Sequence, residues 1–458
     1  MSVRKYEPSR FNFSVLNRDG SLTIYNTKTG AIAIIDQGQA ESVAHLLKRP
    51  SESTHPLVDQ LLSQGFLIPS GYDEILDIRR WVKHYVHDNR MMHLTLLPAE
   101  ACNFACPYCF QYKKRNVLMS DWVYDAVYKL VESSIEQGLR HLKVGWFGGE
   151  PTLTASRIIS FMNRLLTLQS RGLLIRGSMV TNGYLLTAEL LTEFVAAGIR
   201  QFQVTLDGDR ENHDRLRYLK DGSPTFDKIY SNLQAMAKLD FEFEISIRCN
   251  FLRSSIESME KMLYMFLRDF GYDRRFSIYF RPVYYYETAQ DSVDQFRAEI
   301  CTIQEGLALQ NRLAIQTMQL VKRQSYMRIF DPLPKPTPSW CPSDRVNSYI
   351  VGADGTLFVC DTLVGDKSKA IGHLSRDGLI IQNEKAQAWR STIFDEKNNE
   401  KCMSCKLLPL CLGGCHRIRI MTGEPLCFWR HDDIVWAMHQ YVKLYASQEP
   451  QLAKRESR

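Results

Sequence analysis

Between about His93 and Ala314, six strand-like apolar runs alternate with amphipathic helical stretches, and this alternation restricts the fold more than any other feature of the chain. The runs are HLTLL from residue 93, LKVGWF from 142, LIRGSMV from 174, QFQVTL from 201, FEISIR from 243 and SIYFRPV from 277. Between them lie helices such as SDWVYDAVYKLVESSIEQG, where Ser120 is placed to cap and Val123, Val127, Leu130 and Ile135 share a face. Six β-α units imply an α/β fold, a partial (β/α)6 TIM-like barrel with a parallel sheet. Functional groups are then expected at the C-terminal ends of the strands.

The flanks follow other patterns. FNFSVL and LTIYN read as strands, followed by a turn at Thr29-Gly30 and a third strand, AIAII. Helical segments near Gln39 to Leu47 and His55 to Gln64 and a short FLIP strand complete a winged-helix-like module, placed at residues 1–75. A linker helix at 76–91 leads into the barrel, which extends to residue 330. The proline-rich DPLPKPTPSW then opens a loop-rich tail, residues 331–458, with seven cysteines and a C-terminal helix. Cysteine-dense sequence with little apolar periodicity usually needs metal to fold.

With 458 residues, 45% of them hydrophobic, the chain can build two or three domain cores. Its net charge of +6 arises from 57 basic and 51 acidic residues without long runs of either sign, so no nucleic-acid partner is expected. MSVRKYEPSR lacks the apolar core of a signal peptide, and no stretch approaches roughly 18 uninterrupted apolar residues. The expectation is a cytoplasmic protein without a membrane partner. In a reducing compartment its twelve cysteines are expected to bind metal or do chemistry rather than form disulfides.

The stretch ACNFACPYCF places Cys102, Cys106 and Cys109 at a three-then-two spacing. Zinc, a redox pair with a spare thiol, and an iron–sulfur cluster with one free iron are the readings open to it. A structural zinc site normally takes four ligands in two pairs, whereas here three cysteines fall within eight residues and no histidine is near. Three thiolates suit a cubane, and the loop directly follows the first barrel strand, so it opens on the catalytic face.

Cys-x3-Cys-x2-Cys with an aromatic residue, Tyr108, before the last cysteine resembles the signature of radical S-adenosylmethionine enzymes. The resemblance implies a [4Fe-4S] cluster whose fourth iron chelates the methionine portion of S-adenosylmethionine. Reductive cleavage would then give a 5′-deoxyadenosyl radical that takes hydrogen from the substrate. WFGGEP, with Gly148, Gly149 and Glu150, resembles the family's glycine-rich motif after the second strand. Two small residues let backbone approach a ligand, and Glu150 would accept a hydrogen bond from the cofactor's ammonium. TLDGDRENHDRLR resembles the related segment after the fourth strand, which implies that Thr205 contacts the cofactor and Arg217 its carboxylate. Thr181 and Asn182, in TNG at the end of the third strand, are further contacts, while His213 and Asp214 read as structural.

In the tail, Cys341 is followed by thirteen residues, Gly355, four residues and Cys360; then come Cys402-x2-Cys405-x5-Cys411-x3-Cys415 and Cys427. This resembles the SPASM pattern, which implies two auxiliary [4Fe-4S] clusters and three in all. By that family's interleaved ligation, Cys402, Cys405, Cys411 and Cys427 hold the outer cluster, and Cys341, Cys360 and Cys415 the inner one. An open iron, Cys301 or a noncysteine group completes the inner site. Cys249 and Cys301 otherwise read as core cysteines. Asp361, after Cys360, matches the proton acceptor of sulfatase-maturing relatives.

Enzymes with this barrel and tail modify peptides and proteins. NTKTGAIAII and LLSQGFLIP give the N-terminal module a pattern similar to PqqD-like domains, which grip precursor leader peptides by adding a strand to a sheet edge. The expectation is therefore an enzyme that matures a ribosomally made peptide (RiPP), forming a thioether or carbon–carbon crosslink and served by an external electron donor of the flavodoxin or ferredoxin kind. The enzyme alternative is an anaerobic sulfatase maturase making formylglycine with Asp361 as catalytic base. The alternative outside catalysis is an iron–sulfur or zinc-dependent DNA-binding regulator.

Overall fold

The computed structural model describes residues 5–49, 55–111, 116–284, 294–320, 333–397 and 399–445. The chain divides into two compact units, one of Met1–His87, Asp331–Arg345 and Ser391–Arg458, the other of Asp88–Phe330 and Val346–Arg390. The boundary expected after residue 330 lies outside the described residues.

In the first unit the strands are β1 (Tyr6–Pro8), β2 (Asn12–Leu16), β3 (Leu22–Asn26), β4 (Ile32–Ile35) and β5 (Leu67–Pro69), with helices α1 (Gln37–Leu46) and α2 (Val58–Ser63) between the last two strands. The FLIP strand pairs antiparallel with β1, a three-residue strand too short to show a period in sequence. The other three form an antiparallel sheet in the order β2-β3-β4. All five residues of β3 are buried because both of its faces are covered. Leu22 and Ile24 pack with Val43, Leu46 and Leu61. Phe13 and Tyr25 pack with Leu333, Leu407, Leu410, Ile434 and Met438, so the module and the tail share a core. The expected linker helix is α3 (Glu74–Val86), capped by Asp73, whose carboxylate accepts the Leu76 N–H at 2.9 Å. At its first turn, buried Glu74 accepts from Ser9 Oγ at 2.7 Å and Arg10 N at 2.9 Å, which fixes the corner between β1 and β2.

In the second unit each of the six apolar runs is a strand: β6 (Met91–Ala99), β7 (His141–Gly148), β8 (Leu174–Thr181), β9 (Ile199–Thr205), β10 (Glu244–Phe251) and β11 (Phe276–Pro282). They lie side by side in chain order and all parallel. The connecting helices are α4 (Asp121–Glu136), α5 (Ala155–Leu166), α6 (Ala188–Ala196), α7 (Arg210–Leu216), α8 (Phe226–Ala237) and α9 (Ile256–Asp269). Ser120 occupies the position before α4, but the cap it supplies is its carbonyl, which accepts the Val123 N–H at 3.0 Å, and its hydroxyl makes no capping bond.

Alternation decides which way each strand residue points. Leu94, Val144, Trp146, Val204, Ile245, Ile247 and Ile278 join Val123, Val127, Met259 and Met262 in one core against the helices. Their neighbours Thr95, Gly145, Ser178, Gln203, Arg248 and Tyr279 are half-buried on the opposite face.

The segment after residue 346, expected as loop, contributes four more strands, β12 (Ser348–Val351), β13 (Thr356–Phe358), β14 (Gly372–Leu374) and β15 (Ile380–Gln382). β12 pairs parallel with the β6 edge, and the others continue the sheet antiparallel. Runs of three or four residues show too little alternation to be read from sequence, and covering the β6 edge saturates its backbone groups. Among the described residues no helix is long and apolar enough to cross a membrane.

Candidate active site at the strand ends

The cysteine motif occupies the loop leaving β6. Its base is closed by the Glu100 N–H donating to Val117 O at 3.0 Å and by a bridge between Ala99 and Leu118. Its apex is held to the segment after Arg217, through Ala105 N to Tyr218 O at 2.9 Å and Lys220 N to Asn103 O at 3.2 Å. Cys102 is buried, whereas Cys106 and Cys109 are half-buried. The Phe104 N–H donates to Cys102 Sγ at 3.4 Å.

The glycines after β7 are required by the protein's own backbone. Gly148 has φ +119°, and a Cβ there would lie 2.5 Å from Ala99 O. At Gly149 a Cβ would lie 2.1 Å from Ala101 O, because Gly149 N and Glu150 N donate at 2.9 Å to Ala99 O and Ala101 O. The pair therefore clamps the β7 loop to the cysteine loop. Gly149→Ala should cost about 1–3 kcal/mol of overpacking and displace Ala101, beside Cys102. Urea denaturation checks the cost, and a variant as stable as the parent would contradict this packing.

Glu150 is fully buried and ties two strand ends together. Oε1 accepts from Thr152 N (3.0 Å), Thr152 Oγ1 (2.6 Å) and Thr181 Oγ1 (2.6 Å), and Oε2 accepts from Asn182 N (2.7 Å). Burial pushes its carboxyl pKa up, and these donors oppose the shift. Asn182 Nδ2 donates to Asn103 Oδ1 at 2.8 Å, which carries the connection on to the cysteine loop.

A second polar centre joins the cysteine loop to β9 and β10. The Tyr108 hydroxyl donates to Asp207 and accepts from Arg217 Nη1 at 2.9 Å and, at 3.4 Å, from Asn250 Nδ2. Asp207, fully buried, also accepts from Asn250 N at 2.9 Å. Burial pushes the Tyr108 hydroxyl pKa well up, with Arg217 opposing, and raises Asp207 in the same way. Arg217 is buried over the Phe104 ring, and among the described residues its Nε has no hydrogen-bond partner. Thr205 ends β9, buried, in register with Arg248 of β10. His213 accepts the Asp207 N–H on Nδ1 at 3.1 Å, and Asp214 caps α8 by accepting from Thr225 N and Phe226 N at 2.8 and 2.9 Å. Burial keeps the His213 imidazole neutral, as a framework residue.

Sequence reasoning passed over Asp207, Asn250 and Asn103. Asp207 lies two residues after Thr205 in the motif, and Asn250 is a polar residue at the end of an apolar strand, the signal that could have found it.

In the first unit Cys402, Cys405, Cys411 and Cys427 lie within electrostatic reach of one another. Burial first, and the neighbouring thiols next, push the Cys402 pKa up to about 11; for Cys411, raised to about 12, burial leads and a bond from Gly413 opposes. Asp344 accepts from Cys341 N at 3.1 Å and lies 3.5 Å from His416, which joins the Cys341 loop to the helix that begins after Cys415. Cys360 belongs to the second unit, at the end of the β13 segment. Asp361 beside it is solvent-accessible; desolvation raises its carboxyl pKa, and Arg248 opposes the rise. Cys249 and Cys301 are buried in the second unit's core, as expected of packing residues.

Among the described residues no three His, Cys, Asp or Glu side chains converge on one metal-ion position. A four-iron cube binds each thiolate at a different iron, a wider spacing than one ion imposes. The three-thiol loop fits such a group, and the open Nε of buried Arg217 fits a carboxylate ligand beside it.

Residues 96–263, from β6 into α9, match the family model described as the Radical SAM superfamily, a class that uses S-adenosylmethionine and a [4Fe-4S] cluster. A serine-type anaerobic sulfatase-maturating enzyme of Bacteroides thetaiotaomicron is 33% identical over 153 residues, 31% of this chain and 35% of that protein. The chain thus spans about a third of that relative's length. A cysteine-type anaerobic sulfatase-maturating enzyme of Clostridium novyi is 22% identical over 350 residues, 72% of this chain and 88% of the relative. The crystal structure of Streptococcus suis SuiB bound to precursor peptide SuiA superposes with a TM-score of 0.52 at 14% identity, covering 92% of this chain and 98% of that one, a likeness of fold.

Proposed function

We propose that this chain is a radical S-adenosylmethionine peptide maturase that installs a thioether or carbon–carbon crosslink in a ribosomally made precursor. The observation that carries this reading is the convergence, inside the matched domain, of three strand-end motifs on the two buried carboxylates, Glu150 and Asp207. In this reading Cys102, Cys106 and Cys109 hold the first cluster. The auxiliary clusters take Cys402, Cys405, Cys411 and Cys427, and Cys341, Cys360 and Cys415. When bound, S-adenosylmethionine supplies a carbon radical that removes hydrogen from the substrate. Around it Glu150 fixes Thr181 and Asn182, Tyr108 and Asp207 orient Arg217, and Arg217 offers its free N–H to the cofactor's carboxylate. Burial of these groups keeps water away and stiffens their geometry.

Leader recognition falls to the N-terminal sheet, as in PqqD-like domains of winged-helix form. From the Asn26 N–H to Ala31 O pairing, alternation leaves the Ile32 and Ile34 N–H groups on the outer side of β4, the edge strand, where Ile34 is 41% exposed. A leader strand can add there. Ile34→Pro removes one outward donor without touching the ladder to β3. It should weaken leader-peptide binding about tenfold, the loss of one or two backbone bonds. Fluorescence anisotropy with a labelled leader measures this, and an unchanged Kd would remove the recognition role. Deleting residues 1–72 is a poorer test, because Phe13 and Tyr25 complete the tail's core.

A second reading, anaerobic sulfatase maturation, is favoured by the two relatives above and by Asp361, which sits near Arg248 with a raised pKa suited to holding a proton. Anaerobic reconstitution with reductant, S-adenosylmethionine and either a short cysteine-containing peptide from a neighbouring reading frame or a sulfatase peptide, followed by mass spectrometry, separates the two. A crosslink removes a hydrogen pair and joins two residues, which blocks fragmentation between them, whereas the maturase leaves a single formylglycine aldehyde that a hydrazide traps, formed from serine by loss of a hydrogen pair or from cysteine by exchange of its sulfur for oxygen. The absence of 5′-deoxyadenosine from well-loaded enzyme would reject both.

A further inference from the structure

The inner face of the sheet carries a cationic corner that none of the proposed cofactor contacts uses. Arg248 of β10 is half-buried there, in register with Thr205 of β9 and Tyr279 of β11. Its Nε donates to Asn250 Oδ1 at 2.8 Å. Tyr279, itself held by donating to Gln203 Oε1 at 2.6 Å, lies within electrostatic reach of the same guanidinium. One row further, Arg281 is in register with Asn250, and both arginines act electrostatically on Tyr279 and Tyr284. Among the described residues neither guanidinium has a carboxylate within ion-pair distance; Asp361 faces Arg248 from further away. A half-buried guanidinium loses hydration, and among the described residues its charge is compensated only at longer range, by Asp361, while its fixed Nε orients the fork for a planar anion.

We propose that Arg248, supported by Arg281, forms a subsite for a carboxylate of the peptide substrate, so that the segment delivered to the radical centre carries an acidic residue near the reacting position. This rests on the peptide-maturase reading and adds the substrate's chemistry to it. Asn250 links the subsite to the Tyr108 and Asp207 centre by direct hydrogen bonds, so a carboxylate held at Arg248 lies one residue away from the proposed cofactor site. Bidentate recognition there fixes the register of the peptide as well as its affinity.

The test uses immobilised, anaerobically reconstituted full-length enzyme and a pool of blocked peptides with one cysteine, randomised flanks, and either Glu or Gln at a fixed neighbouring position. The wild type should retain the Glu peptides preferentially. Arg248→Met should reduce that preference at least about tenfold, the scale of one charge-assisted hydrogen bond, and Arg281→Met should reduce it less. Should Arg248→Met fail to fold, glutarate added to the wild type at constant ionic strength must compete off the Glu peptides and spare the Gln peptides. Peptides retained with no acidic preference, or a preference untouched by both the variants and glutarate, overturn the subsite and leave the maturase reading standing. Loss of radiolabelled S-adenosylmethionine binding in Arg248→Met would assign the guanidinium to the cofactor's carboxylate and overturn the proposal.

Discussion

Cys106→Ala should abolish 5′-deoxyadenosine formation while most of the tail's iron stays bound. Cys106 sits midway along the three-thiol loop, and its thiol is electrostatically coupled to both Tyr108 and Arg217. In the proposed assignment this leaves the first cluster with two protein thiolates, too few to retain it, a loss of about four irons per chain. Cys402, Cys405, Cys411 and Cys427 belong to the other compact unit, with their own core around Leu407, Leu410 and Ile434, and do not depend on the loop. Iron analysis and chromatography of the nucleoside product check the two halves separately. Product formed at the parental rate would reject the assignment of the first cluster to this loop.

Glu150→Ala should be the most destabilising single substitution in the site, by about 3–5 kcal/mol, as for breaking a buried charged network on one side. The change strands four donors, Thr152 N, Thr152 Oγ1, Thr181 Oγ1 and Asn182 N, in a place water does not reach. Glu150→Gln keeps an acceptor for the three donors on Oε1 but turns an amide N–H₂ toward Asn182 N, so its cost is smaller, about 1–3 kcal/mol. Because burial raises the folded pKa of Glu150 above its ordinary 4.5, the proton-linked stability from this group is complete below about that pH. It is lost as pH rises through the folded value, and Glu150→Gln should remove that falling limb. Chemical denaturation across pH measures both effects. A Glu150→Ala variant within 1 kcal/mol of the parent, by rough count, would show that the donors find other partners.

Glu150 also illustrates what the structure adds to the sequence. WFGGEP suggested two glycines that admit a ligand and a glutamate that greets an ammonium. The folded chain uses the glycines to bring Ala99 O and Ala101 O against the β7 loop, and all four donors to the carboxylate come from the protein. The motif was found for its pattern, while the contacts that explain its residues come from Thr152 next to it and from Ala99, Ala101, Thr181 and Asn182, distant in sequence.

The six strands of the parallel sheet were legible in sequence because each is a run of seven to nine residues with an alternating or continuous apolar pattern, and the helices between them carry a 3.6-residue stripe. The three-residue β1 and the short β12 to β15 left no such trace. Nor did alternation reveal that β3 is covered on both faces, since LTIYN looks the same whether one side meets helices or both do.

The spacing of cysteines is a local property, so the sequence alone established where three thiols share a loop and where seven more recur in the tail. Which polar groups meet is a property of register between distant strands. Only the tertiary structure brought Asp207 and Asn250 to the Tyr108 hydroxyl, and placed Arg248 in register with Tyr279. Burying a charged or hydrogen-bonding group is costly unless something pairs with it, and that pairing is settled by packing across the sheet, which no local pattern records.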